Sequence, residues 1–115
     1  MLPQTNRIKK KKDFEIIFKD SKTFKNNIFI VRVAKNNLGL NRFGFVVSLK
    51  ISKKATSRNK VRRRLSEAIQ LEVKNIKIGT DLVFIALPGI EKKNFIEIKK
   101  AVKDALSAEK LIIKI

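Results

Sequence analysis

A chain of 115 residues, 43% hydrophobic and with eight phenylalanines, is long enough to bury one core and too short for two, so a single domain over residues 1–115 is expected and whole-chain disorder is not. The absence of cysteine and histidine excludes disulfides, thiolate metal sites and imidazole acid–base chemistry, and no apolar run nears the ~18 residues that cross a bilayer, so a soluble, cytoplasmic protein with no membrane attachment is expected. A net charge of +18, from 28 Lys and Arg against 10 Asp and Glu, implies self-repulsion that a polyanionic partner relieves.

In chain order, Phe14, Ile17 and Phe18 recur at helical spacing over residues 13–20. Residues 28–34 and 42–50 alternate with period two and are rich in β-branched and aromatic types, so both read as strands, expected to form a hairpin across the polar turn Asn36-Asn37-Leu38-Gly39. A helix follows from Ser57, a candidate N-cap, to Val73, with Val61, Leu65, Ala68, Ile69 and Val73 on one stripe. Asp81 to Ala86 reads as a strand buried on both faces, ended by Pro88-Gly89. A last helix carries Phe95, Ile98, Val102, Ala105 and Leu106 on one face. The order of helix, strands, helix, strand and helix gives an α/β (α+β) two-layer sandwich.

Charge is unevenly placed along these elements. From Ser21 to Ser66 there is no acidic residue among thirteen Lys and Arg, whereas from Glu67 onward nine basic residues face seven acidic ones. The segment Lys53-Lys54-Ala55-Thr56-Ser57-Arg58-Asn59-Lys60-Val61-Arg62-Arg63-Arg64 places Lys60, Arg62, Arg63 and Arg64 away from the apolar stripe as a cationic ridge. A merely solvated helix face would alternate signs, and this one holds no acid before Glu67, which favours phosphate contact. In the strands, Phe29, Val31 and Val33 oppose Ile30, Arg32 and Ala34, while Phe43, Phe45, Val47 and Leu49 oppose Arg42, Gly44, Val46, Ser48 and Lys50. The phenylalanine face is the expected core. If Phe14 and Phe18 border the other face, they make with Arg32, Arg42 and Lys50 an aromatic cleft with a basic rim, suited to single-stranded nucleic acid; the same two rings also fit ordinary packing, and pattern alone does not decide. A ribosomal protein or RNA chaperone would share the charge, and a DNA-binding helix would need more base-reading side chains than this ridge has.

The run Arg58-Asn59-Lys60-Val61-Arg62-Arg63 closely resembles the signature helix of the bacterial ribonuclease P protein family. Arg42-Phe43-Gly44-Phe45-Val46-Val47-Ser48 resembles the family's glycine-containing strand, with Lys50 matching its second following lysine. Asn6-Arg7-Ile8-Lys9-Lys10, Asp13-Phe14 and Phe18 resemble its opening segment and first helix, and Asp81 to Ala86 sits where its last strand lies. The resemblance implies the ribosomal S5 domain 2-like fold, ordered α-β-β-(β)-α-β-α with a left-handed βαβ crossover. It also implies a subunit that is not catalytic alone, binds the catalytic RNA and precursor tRNA, and assists removal of the 5′ leader. Lys53, Lys54, Arg58, Asn59, Lys60, Arg62, Arg63 and Arg64 would meet the catalytic RNA, and Phe14, Phe18, Ile30, Arg32, Ser48 and Lys50 would line the leader cleft. Mg²⁺ would belong to the RNA, with no cofactor held by the chain and no protein partner required. The chain departs from the family pattern at Lys60, where a second arginine is usual, and at Arg32, Leu49, Ser66 and Leu87.

Overall fold

Alternating burial along residues 29–35, near-complete burial along residues 80–86 and buried positions on three helices pack helices against both faces of one sheet. The computed structural model describes residues 6–8, 10–19 and 21–108; Lys9 of the opening segment and residues 109–115 lie outside them. The elements are α1 (Lys11–Lys19), β1 (Lys22–Lys25), β2 (Phe29–Lys35), β3 (Arg42–Val46), α2 (Ala55–Glu72), β4 (Thr80–Ala86) and α3 (Phe95–Ala108). Short 3₁₀ turns at Val73–Asn75 and Ile90–Lys92 follow α2 and β4.

The four strands are ordered β1-β2-β4-β3. β2 therefore does not pair with β3, and the hairpin expected across residues 36–39 does not form. β4 occupies the slot between them, antiparallel to β2 and parallel to β3. The six residues 36–41 span two strand spacings, about 10 Å, within reach of a loop of that length. The hairpin present is β1–β2, closed by Asn26, whose Oδ1 accepts from the backbone N–H of Ile28 at 2.8 Å and of Phe29 at 2.9 Å. β3 stops at Val46, so Ser48, Leu49 and Lys50 lie in a turn; Leu49, assigned to the buried face by alternation, is 68% exposed.

The inner sheet face meets α2 and α3. Phe29, Val31 and Val33 of β2, Phe43 of β3, and Leu82 and Phe84 of β4 are buried there against Val61, Leu65, Ala68 and Ile69 of α2 and Ile98, Val102, Ala105 and Leu106 of α3. Phe84 contacts Phe29 edge-on at 5.1 Å between centroids and stacks with Phe45 at 5.9 Å. Two polar devices fix the ends of this core. Buried Asn41 accepts from Thr80 N–H at 3.1 Å, which seats the start of β4. Asn94 caps α3, accepting from Glu97 N–H at 2.9 Å while Glu97 reaches back to Asn94 N–H, a reciprocal capping box.

α2 starts at Ala55, two residues before the expected cap Ser57, and its first turn has no side-chain cap and no acid. Ser52 shapes the entry instead, its Oγ accepting from Lys54 N–H at 3.2 Å. The free edge of β3 is covered by the N-terminal segment: Ile8 N–H donates to the Phe43 carbonyl at 2.8 Å and Arg7 bridges Phe43 in parallel.

Candidate nucleic-acid interface

The outer sheet face is only half covered, and strand register shows which half. Its side chains form three rows across the sheet. Lys25, Ile30, Ile85 and Val46 make the first, Thr23, Arg32, Val83 and Gly44 the second, and Ala34, Asp81 and Arg42 the third. α1 crosses from β3 to β2 over the second and third rows. Its Asp13 meets Arg42, its Phe14 ring lies over Gly44, and its Phe18 meets Arg32. Ile17 is buried beneath it with Ile8 and Val83. Gly44 makes this approach achievable, since a Cβ there would sit 2.8 Å from Phe14 Cε1.

The first row stays partly open. Ile30, Ile85 and Val46 form an apolar floor, and Phe14 and Phe18 stand above it with centroids 6.3 Å apart. Phe14 is half-buried and Phe18 is 37% exposed, so Phe14 both packs and faces the opening while Phe18 is mainly wall. The Arg32 guanidinium lies 5.6 Å from the Phe18 centroid and donates to Ser21 Oγ at 3.4 Å and Thr23 Oγ1 at 3.3 Å, which holds its plane ready beside the ring. Ser48 and Lys50 extend from the end of β3 next to Val46; Ser48 Oγ accepts from Lys50 N–H at 3.3 Å.

Arg42 does not belong to this basic rim. Its Nε and Nη2 donate to the two oxygens of Asp81 at 2.9 and 2.7 Å, and Nη1 donates to Asp13 at 3.3 Å. Asp81 is 4% exposed and also accepts from Asn36 Nδ2 at 2.7 Å. The hydrogen bond to Asp81, ahead of opposing desolvation and aided by both carboxylate charges, raises the Arg42 pKa above its ordinary value. Arg42 is therefore held in its charged form, with that charge spent internally.

The ridge on α2 divides its labour. Lys53, Lys54, Lys60 and Arg63 are exposed. Arg58 donates to the Ser52 carbonyl at 2.9 Å, and Arg62 donates to Asn59 Oδ1 at 2.7 Å and to the Val47 carbonyl at 3.4 Å, so both brace the turn between β3 and α2 while presenting remaining nitrogens outward. Arg64 donates to the Lys93 carbonyl at 2.8 Å, toward the segment leading to α3. The uncapped N-terminus of α2 adds its positive dipole end to the same surface.

The family model described as Ribonuclease P matches residues 2–110. The chain belongs to the ribonuclease P protein family. The ribonuclease P protein component of Alkaliphilus metalliredigens is 32% identical over 111 residues, covering 96% of this chain and 99% of the relative. That of Clostridioides difficile is 37% identical over 102 residues, covering 88% of this chain and 89% of the relative. The RNase P protein of Staphylococcus aureus superposes with a TM-score of 0.86 at 28% identity, covering 93% of this chain and 97% of that one, and that of Thermotoga maritima with 0.81 at 30%, covering 89% and 96%. The α+β fold with a four-stranded mixed sheet and three helices is theirs, and membership of a family that serves an RNA–protein enzyme implies an RNA partner.

Three residues of the open floor are absent from the cleft set expected from sequence: Val46, which alternation places on this face, and Ile85 and Lys25, which it does not. Ile85 was hidden because β4 is apolar on both faces. Lys25 was hidden because β1 buries too little to show alternation, with three of its four residues exposed. Pairing each with Ile30 in register is the signal that finds them.

Proposed function

We propose that this chain, as the protein subunit of ribonuclease P in tRNA 5′ processing, binds the catalytic RNA through the α2 ridge and the single-stranded 5′ leader of precursor tRNA across the open outer row of the sheet. Lys53, Lys54, Arg58, Asn59, Lys60, Arg62 and Arg63 supply phosphate contacts, with Arg64 at the margin. Phe14, Phe18, Ile30, Arg32, Ser48 and Lys50, joined by Val46, Ile85 and Lys25, take the leader, whose bases stack on rings and the Arg32 plane while its phosphates meet the rim. A single observation carries this reading: the uncovered apolar row runs directly into the turn that Arg58 and Arg62 brace, so leader and catalytic RNA would meet adjoining surfaces of one rigid body.

The assistance is electrostatic and positional. Cations between two polyanions lower their repulsion, and contacts to a leader that the mature product lacks favour precursor binding and product release. The chain supplies no hydrolytic group in this scheme, and catalytic Mg²⁺ belongs to the RNA. The carboxylates of Asp13 and Asp81 are engaged by Arg42. The setting is the cytoplasm. The test is cleavage of precursor tRNA by the cognate catalytic RNA at low Mg²⁺, with wild type and with Arg58→Ala/Arg62→Ala. Restored cleavage by wild type and failure of the folded double variant support the assignment. Tight RNA binding by wild type with no gain in processing would transfer the chain to a general RNA-chaperone role.

A further inference from the structure

α1 has little of its own to hold it on the sheet. Beneath it are Ile8, Ile17 and Val83, with Phe14, Ala34, Val46 and Ile85 packed partly around them, a cluster much smaller than the core on the other face. The helix is nine residues long, too short to persist without tertiary support. Besides the Arg32 guanidinium beside the Phe18 ring, its tether to the sheet is the ion pair of Asp13, which receives the third arm of a guanidinium whose other two arms are locked on Asp81. Asp81 is the second residue of the central strand and is itself fixed by Asn36. The tether is therefore anchored to the most buried strand of the molecule. It also lies one residue before Phe14, whose ring rests in the Gly44 notch, two residues along β3 from Arg42.

We propose that the Arg42 clamp is a positioning device for the leader cleft: by joining Asp13 of α1 to Asp81 of β4, it sets the height at which Phe14 and Phe18 stand above Ile30, Val46 and Ile85. The clamp lies on the third row and the open floor on the first, so Arg42 touches no leader nucleotide and acts through the helix. The Gly44 notch fixes how closely the helix approaches, and Asp13 fixes its rotation about its own axis. Without the clamp the hydrophobic cluster still attracts α1 but leaves it free to roll, and the cleft would have no single width. A preorganised cleft binds its strand without the entropy of ordering that wall, which is how a remote ion pair enters leader affinity.

This inference rests on the leader-cleft reading above, and its test separates the two. Holoenzyme is assembled with wild type, Asp13→Ala and Asp13→Asn, and its affinity is measured for precursor tRNA bearing a leader and for mature tRNA. Amide hydrogen exchange of the free chain is followed in α1, α2 and α3. Asp13→Ala is expected to lower the precursor-over-mature preference roughly threefold to tenfold. It should leave affinity for the catalytic RNA unchanged and speed exchange in α1 alone. Asp13→Asn, which keeps an acceptor for Arg42 Nη1, is expected to recover part of the preference. A folded Asp13→Ala variant with wild-type preference and wild-type α1 exchange overturns the proposal. Absence of any leader preference in wild type would sink the cleft reading instead, and α1 exchange would then still decide whether the clamp orders the helix.

Discussion

The two faces of the sheet are built from the same four strands and serve opposite ends. The inner face is sealed by α2 and α3 over rows of phenylalanine and branched aliphatics, whereas the outer face is crossed by one short helix that leaves a row of side chains open. Adjacent residues of β4 show the contrast: Phe84 is fully buried on one side, and Ile85 on the other is partly exposed. Buried packing is concentrated on the first face; in the proposed function recognition belongs to the second, where aromatic and aliphatic side chains left open to water near a basic rim would receive a base.

That division can be broken by substitution. Phe84→Ala should cost about 3–5 kcal/mol of folding free energy, read as a lower urea midpoint; a small loss would mean that the inner face is not the source of stability. Arg58→Ala/Arg62→Ala should weaken catalytic-RNA binding by about 1.5–3 kcal/mol per arginine, flattening the dependence of log affinity on log salt by roughly one unit for each, while leaving unfolding of the core nearly unchanged. Gly44→Ala should cost about 1–3 kcal/mol and displace the Phe14 ring toward the opening, so that leader preference falls with stability. Ile85→Ala sharpens the comparison most, although its effect on folding is small. A loss of about 1 kcal/mol or less in stability with a measurable drop in precursor preference places Ile85 on the recognition side, and the reverse pattern would place it in the core.

The residues that buried themselves by simple periodicity were legible from sequence. Phe29, Val31, Val33, Phe43 and the stripes of α2 and α3 occupy the faces that spacing assigns them. The ridge was legible because a run of cations without acids has few structural explanations. Strand order was not, because alternation reports which way a side chain points and is silent on which strand lies beside it. Asn36 to Gly39 is a genuine turn, yet it carries the chain past a vacant slot that β4 later fills. The neutralisation of Arg42 was invisible for the same reason, since Asp81 lies 39 residues away and Asp13 lies 29, and only the fold brings them together.

The position of β4 also sets the order in which the molecule can be completed. Its central strand is the last of the four to leave the ribosome, and until Ala86 has emerged β2 lacks its partner on one side while β3 has no strand beside it. Such a sheet cannot grow strand by strand; it closes in one late event that brings distant segments together, a slow kind of assembly that leaves backbone edges waiting. The nascent segment that waits carries thirteen positive charges and no negative one between residues 21 and 66, so neighbouring unfinished chains repel each other over the interval when their edges are most able to stick.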